Sequence, residues 1–342
     1  MAPKIFLIKF GTNCCKNAGY IGGDVLYQLN KVHPDYEYTL LVRNEERGKP
    51  VAAAYPKARL VYGTLDDGDV IEKEAAAADI VVHTADSADN VPSAKAIAKG
   101  IAAGHTAEKP GYWIHLCGTG ILTWYDTDNK RFGQAPLPDQ KYNDVEDIDR
   151  ILSLPDSALH RDVDKIVLAA NDSPGVKTLI AGPPLIYGPG RGPVNQRSIQ
   201  VPHMVEYTLK NGHAPIHAPG LTEWNNLHIH DVSEFFVQAV EAAQDPAKAA
   251  NPEIFGPKGY FFLESGVHKW SDLARWVADE AAKQGLIPEP ATKEVDIPFF
   301  GANSKAVAVR AKKYLGWTPK APSLKEDIPR AVTFEAKKLG KA

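Results

Sequence analysis

Short apolar runs at residues 5–8, 39–42, 59–62, 80–83, 112–117 and 177–181 alternate with stretches of helical character at 22–29, 69–78, 93–103 and 161–170. Runs this uniformly apolar leave no polar face for water, so they belong in a parallel sheet covered by helices on both sides. The pattern predicts an α/β fold with a doubly wound parallel sheet. A further amphipathic helix is expected over 144–152. After residue 181, "GPPLIYGPGRGP" stops any regular element and the period changes. Beyond it we expect helices near 202–210, 232–244 and 269–283, and strands at 226–229 and 260–263. "GLIPEPATKEVDIPFF" reads as an exposed connector by its prolines, and the tail from residue 315 as short, basic and partly helical.

The chain of 342 residues, 44 % hydrophobic, has ample length for a sizeable core. The expected division is a nucleotide-binding domain over 1–187 with about 225–248, and a smaller C-terminal α/β substrate lobe over about 188–224 and 249–342. A net charge of −3 with dispersed lysines and arginines gives no polybasic footprint, which argues against nucleic acid and anionic membrane as partners. No apolar run approaches the roughly 18–20 residues of a membrane helix, and Met1-Ala2-Pro3-Lys4 shows no leader pattern. Three cysteines, two of them adjacent at Cys14 and Cys15, make neither a disulfide framework nor a Cys-x-x-Cys metal pattern. A cytoplasmic, reducing compartment is expected.

Ala18-Gly19-Tyr20-Ile21-Gly22-Gly23 follows the first strand and opens the first helix. Glycines suit such a turn because a Cβ would keep the backbone from a pyrophosphate at the helix N-terminus. The residue ending the second strand then meets the adenine ribose, and here Val42-Arg43-Asn44 offers an arginine rather than a carboxylate. An arginine pairs with a 2′-phosphate, so NADP(H) is expected over NAD(H). The alternative, that Arg43 is an ordinary solvated charge, stays open. His228 and His230 lack further ligands at metal spacing, and no metal site is expected.

The segments "AGYIGGDVL", "LLVRN", "GTLDD", "DIVVHTAD", "WIHLCGTGIL", "GPPLIYGPG" and "NNLHIHDVSEFFVQAV", in that order and spacing, resemble an atypical extended short-chain dehydrogenase/reductase of the NAD-dependent epimerase/dehydratase type. The resemblance runs from residue 4 to about 319 and implies a Rossmann-type fold. It also implies a dinucleotide held by Gly11, Gly19, Tyr20, Ile21 and Gly22. Asp66 would approach the adenine amino group, His83, Thr84 and Ala85 would line the nicotinamide half, and Pro183 to Tyr187, Leu185 included, would close over the ring. Asn226 and His228 would face the substrate. Trp124, Tyr125 and Tyr187 are further candidates for its pocket.

The family's proton donor is a Tyr four residues before a Lys on one helix. Counting back from Leu168-Ala169-Ala170 brings Asp156 to the Tyr place and His160 to the Lys place; the other frame, Arg161 to Lys165, also lacks the Tyr. His160 could bridge ribose and substrate, with Asp156 or a tyrosine completing a relay, or the helix could keep only its position. Thr119 is the nearest hydroxyl to the family's polar helper after strand five. The implied function is an NAD(P)-dependent oxidoreductase acting on a small aldehyde or ketone; a catalytically impaired NAD(P)-binding sensor or scaffold and a nucleotide-sugar epimerase or dehydratase are the alternatives. Homodimerisation is common in the family. Residues 9–18 make ten residues where the family turn has three, about seven extra, and an outward loop, a sequence artefact or loss of the site would each explain them.

Overall fold

The structure, a computed structural model, describes residues 2–8, 19–296 and 301–341. The extra segment at 9–18, with Gly11, lies outside the described residues. Through the first half, strand and helix alternate as β1 (Lys4–Ile8), α1 (Tyr20–Val32), β2 (Glu37–Val42), α2 (Glu45–Ala54), β3 (Arg59–Tyr62), α3 (Gly68–Ala77), β4 (Ile80–His83), α4 (Val91–Gly104) and β5 (Gly111–Leu116). A 3₁₀ turn at Thr119–Thr123 runs into α5 (Trp124–Asp128). Then come β6 (Lys141–Asn143), α6 (Ile148–Leu152), α7 (Arg161–Ala169), β7 (Val176–Gly182) and β8 (Leu185–Tyr187).

β1 to β5, β7 and a later strand, β11 (Tyr260–Phe262), form one seven-stranded parallel sheet in the order β11-β7-β5-β4-β1-β2-β3. The chain winds outward from β1 in one direction and from β4 in the other, which is the Rossmann-type doubly wound arrangement. β1 after Lys4 and the whole of β4 are buried, as uniformly apolar strands must be when helices cover both faces. One face packs on α1 and α9 (Ile229–Ala242), with Leu26, Leu29, Val232 and Phe236 in its core. The other packs on α3, α4 and α7, with Ile71, Ile97, Trp113 and Val163.

α3 and α4 lie close because glycines face the contact. A methyl group on Gly100 would come 2.3 Å from the Glu72 carbonyl oxygen, and one on Gly104 2.1 Å from that of Ala76. Backbone cannot move aside cheaply, so Gly100→Ala should lower stability by about 1–3 kcal/mol. A urea midpoint indistinguishable from the parent's would contradict this packing.

The remaining elements are α8 (Gln200–Asn211), β9 (Ala214–Ile216), β10 (Glu223–His228), α10 (Pro246–Ala249), β12 (Gly266–Lys269), α11 (Trp270–Lys283), β13 (Thr292–Glu294), β14 (Lys305–Val307) and α12 (Leu324–Lys338). A small sheet, β12-β10-β8, sits beside a third core built from α8, α11 and α12 around Met204, Leu209, Leu273, Ile328 and Val332.

Three expectations need correcting. The helix expected over 144–152 is confined to α6, because the buried Asp144 carboxylate accepts the backbone N–H groups of Phe262, Val309 and Arg310 (3.1, 2.8 and 3.0 Å). The supposed connector contributes β13, which pairs in parallel with β9. A helix unforeseen in the sequence, α2, starts where the Asn44 side chain accepts the Arg47 N–H (3.0 Å), and it contains Pro50.

Candidate functional site

Doubly wound sheets offer a crevice at the carboxyl ends of the strands where the winding reverses, here between β1 and β4. Gly19 enters α1 with φ of 95°, a left-handed conformation that suits glycine, and its carbonyl accepts the Gly23 N–H (2.8 Å). Among the described residues no side chain caps this helix, and its first turn carries no acid. The positive end of a 13-residue helix is therefore turned toward the crevice, which suits a pyrophosphate. Gly22 is buried and Ile21 half-buried.

Tyr20 does something else. Its hydroxyl donates to the Gly188 carbonyl (2.7 Å), and a methyl on Gly190 would come 3.0 Å from its ring. The loop after β8 is thus fastened over α1. Gly23 and Gly192 meet backbone to backbone, with a Cβ on Gly192 only 2.8 Å from the Gly23 Cα. Arg191 grips the buried Asp24 carboxylate through its backbone N–H and its guanidinium (2.6–3.0 Å), and Ser233 adds a hydrogen bond to the same carboxylate (2.6 Å).

The other cofactor candidates divide by place. Arg43 is half-buried just beyond β2. Asp66 is exposed at the turn after β3, and its neighbour Asp67 accepts from the Thr64 N–H and hydroxyl (2.6 and 2.9 Å). Thr84 finishes β1, donating both its N–H and its hydroxyl to the Ile8 carbonyl (2.9 and 3.2 Å). Ala85 is buried. His83 is also buried, edge-on to His115 across β4 and β5, and burial pushes its imidazole down to about 3. The Pro183 carbonyl accepts the Thr119 N–H (3.0 Å), which ties the segment after β7 to the segment after β5. Leu185 is buried in β8 and pairs with Asn226.

His160 stands at the centre of this edge. It caps α7 in the left-handed region with φ of 70°, and its Nδ1 lies 2.6 Å from Asp89 Oδ1. A carboxylate can only accept, so Nδ1 donates and Nε2 is left for chemistry. Nε2 faces the Gly118-Thr119-Gly120 turn: a methyl on Gly120 would approach it to 3.0 Å and one on Gly118 to 3.6 Å. Among the described residues the buried Thr119 hydroxyl has no hydrogen-bond partner. Asp86 lies on the same turn as Asp89; burial and then the Asp89 charge push its carboxyl up, against the pull of His160.

Asp156 is not part of this group. It precedes α7 rather than sharing a helix with His160, is 79 % exposed at its side chain, and pairs with Lys165 (2.7 Å). The frame set by the helix is instead His160 followed by Asp164, whose N–H donates to the His160 carbonyl (3.0 Å). Asp164 is buried, accepts the Tyr260 hydroxyl (2.8 Å), and is pushed up to about 6 by desolvation. The Tyr260 hydroxyl also lies 3.6 Å from the buried Cys117 thiol.

The substrate candidates separate into two groups. Tyr187 donates its hydroxyl to the Pro322 carbonyl (2.8 Å) and packs edge-on to His228, whose Nδ1 accepts the His230 N–H (3.1 Å) at the start of α9. Asn226 is buried against His268 (3.1 Å). These three serve the small sheet. Trp124 and Tyr125 lie one helical turn beyond Gly120, with the Trp124 indole N–H donating to the Tyr142 hydroxyl (3.1 Å). Asp89 escaped the sequence reading because 71 residues separate it from His160; the only local hint is the acid-rich "ADSADN" after a buried strand.

Among the described residues no group of three metal-ligating side chains occurs, and no described helix is long and apolar enough to cross a membrane. No family model matches the chain. Oxidase ucsJ from an Acremonium species is 36 % identical over 341 residues, covering 94 % of this chain and 96 % of that protein. In structure the chain is similar to the dTDP-glucose 4,6-dehydratase DesIV of Streptomyces venezuelae, solved with NAD and TYD, at a TM-score of 0.68, 17 % identity and 98 % coverage of both chains. UDP-glucose 4-epimerase of Thermotoga maritima, solved with UDP-glucose, overlays at 0.64 with 16 % identity, covering 98 % of this chain and 99 % of that one. The doubly wound sheet, the glycine turn into α1 and these end-to-end likenesses agree: the chain belongs to the extended short-chain dehydrogenase/reductases of epimerase/dehydratase type.

Proposed function

We propose that this protein is an NADP-linked oxidoreductase that interconverts a small carbonyl compound and its alcohol, with His160 exchanging the proton at the substrate oxygen. The observation that carries the reading is the His160–Asp89 hydrogen bond of 2.6 Å beside the Gly118-Thr119-Gly120 turn, at the end of the sheet where such folds bind ligands. A bound nicotinamide nucleotide supplies the hydride for reduction, or accepts it in the reverse direction. For reduction the His160 ring must start as imidazolium, so that its Nε2 proton passes to the substrate oxygen as negative charge develops there and the neutral Nδ1–H ring remains; in oxidation the neutral ring's Nε2 takes the alcohol proton. Asp89 keeps Nδ1 protonated and the ring in place. The Thr119 hydroxyl, unpartnered within the described chain, is suited to hold the same oxygen. Gly120 admits the imidazole that any larger residue would push away.

The residues fit the cofactor at both ends. The N-terminus of α1, without a side-chain cap among the described residues, suits the pyrophosphate, and Arg43 just beyond β2 suits a 2′-phosphate. The small lobe favours an uncharged substrate over a nucleotide sugar. All five arginines beyond residue 188 are paired with the chain's own carboxylates: Arg191 with Asp24, Arg197 with Glu335, Arg275 with Asp272, Arg310 with Glu253 and Arg330 with Asp327.

Thermal shift with each cofactor, followed by turnover on a panel of aldehydes and ketones, tests the proposal. A ligand at 100 times its dissociation constant adds about 2.7 kcal/mol, so the preferred cofactor is readable from the melting curve. NADP should protect more than NAD. A charge-assisted contact contributes about 1.5–3 kcal/mol, so Arg43→Leu should weaken NADP binding roughly tenfold or more while sparing NAD. Equal protection by the two cofactors would remove the NADP preference; protection without turnover on any carbonyl would favour a binding protein that has lost its chemistry.

A further inference from the structure

A cavity of about 420 Å³ opens between the helical segment that follows β5 and the segment that leads into α7. Trp124, Tyr125, Leu137, Tyr142, Leu154 and Pro155 are among its lining. Its volume falls within the roughly 300–1,000 Å³ usual for small-molecule sites. The lining segments flank the residues beside His160 in the chain. Trp124 stands one turn beyond Gly120, where an added methyl would come 3.2 Å from the Leu159 side chain and 3.0 Å from His160 Nε2, and Pro155 precedes His160 by five residues. Leu137 at the cavity and Leu159 next to His160 are apolar side chains left 39 % and 51 % exposed.

The chemistry of the lining selects the occupant. Most polar groups around the cavity are already engaged within the chain. Arg150 donates through one guanidinium nitrogen to the carbonyls of Asp139 and Lys141 (3.1 and 2.9 Å) and stacks on the Tyr142 ring at 3.9 Å, while its buried Nε has no partner among the described residues. The Gln140 side chain binds Asp126 and the Leu137 N–H (both 2.8 Å), and the Ser153 hydroxyl donates to the Asp149 carbonyl (2.8 Å). What faces the space is ring and hydrocarbon. The Tyr125 hydroxyl also has no hydrogen-bond partner among the described residues, and the exposed Asp139 belongs to the lining.

We infer that this cavity holds a flat aromatic arm of the substrate, with one hydrogen-bonding group for Tyr125, while the carbonyl lies at His160. The inference rests on the oxidoreductase reading for its carbonyl end only, since the cavity can be probed without turnover. An anionic arm is disfavoured because the exposed Asp139 carboxylate stands at the cavity.

The test uses the full chain and two probes. Calorimetry with 2-naphthol should show saturable binding that weakens tenfold or more in Leu137→Trp, which fills the space from a half-exposed position. It should weaken severalfold in Tyr125→Phe, which removes only the hydroxyl. In turnover, 2-naphthaldehyde should exceed propanal in kcat/KM by about a hundredfold, and Leu137→Trp should shrink that ratio at least tenfold. Binding of 2-naphthol that responds to both variants, with no aldehyde turned over, supports the aromatic site and sinks the oxidoreductase reading. Turnover of propanal as good as that of 2-naphthaldehyde, or naphthol binding indifferent to both variants, overturns the aromatic site and leaves the oxidoreductase reading intact.

Discussion

His160→Asn is expected to lower kcat/KM by about 10²- to 10⁴-fold, the usual share of a general acid or base. At about 1.4 kcal/mol for each factor of ten, this is a loss of roughly 3–5 kcal/mol of transition-state stabilisation. Asparagine is chosen over alanine because residue 160 has φ of 70°, and asparagine tolerates that region with little strain. Asp89→Asn should cost less, about 10- to 100-fold. It leaves the imidazole present but replaces an obligate acceptor with a group that can also donate, so the tautomer is no longer enforced. Asp156→Ala should leave the rate constants within about twofold, since that carboxylate is exposed and paired with Lys165. Steady-state kinetics on all three variants decides the matter, and a His160→Asn enzyme as active as the parent would falsify the assignment.

Stability should fall steeply as pH drops from about 6.5 toward 4. Burial pushes the imidazoles of His83 and His268 down to about 3 and that of His228 down to about 4. Each group binds a proton more readily when unfolded, so the unfolded state gains protons first as pH falls. The stability these neutral rings contribute is complete above the unfolded pKa near 6.5 and is lost toward their folded values. Asp144 and Asp164 act in the opposite sense. Burial raises both to about 6, so their contribution is complete below about 4 and is lost as pH rises through 6. Three histidines, each displaced further than either aspartate, outweigh two aspartates. The net loss on the acid side should reach several kcal/mol. Urea midpoints measured from pH 8 to 4.5 provide the check; a level profile would mean the rings are hydrated in solution.

The strands of the large sheet were the most legible part of the chain. β3 and β4 fall on the residues expected because each is a short β-branched or apolar run bounded by polar turns. α2 was hidden because Pro50 and a weak apolar face mask it, and its start depends on the Asn44 cap. The expected helix at 144–152 was half wrong for a non-local reason. Asp144 is more strongly held by amides more than a hundred residues away than by its own helix. The site divided in the same way. Glycines at the α1 turn and Arg43 after β2 are local signals, readable from spacing. The pairing of His160 with Asp89 requires α7 to be laid against the turn after β4, and no spacing announces it. Counting back by four points to Asp156, whereas the helix begins at Arg161 and leaves Asp156 outside it, and only the fold shows that.

The late position of α12 bears on how the molecule is made. Met204, Val205 and Leu209 of α8 find their cover in Leu324, Ile328 and Val332, more than a hundred residues further along. During synthesis the large sheet can be nearly complete, except for β11, while α8 still displays its apolar side to solvent or to a chaperone. The Ser323–Glu326 capping box starts α12 with its own hydrogen bonds, so the closing helix can form as soon as it emerges. A ribosome stalled before residue 324 would therefore hold a sticky, protease-sensitive nascent chain whose weakest point is a lobe that was otherwise finished.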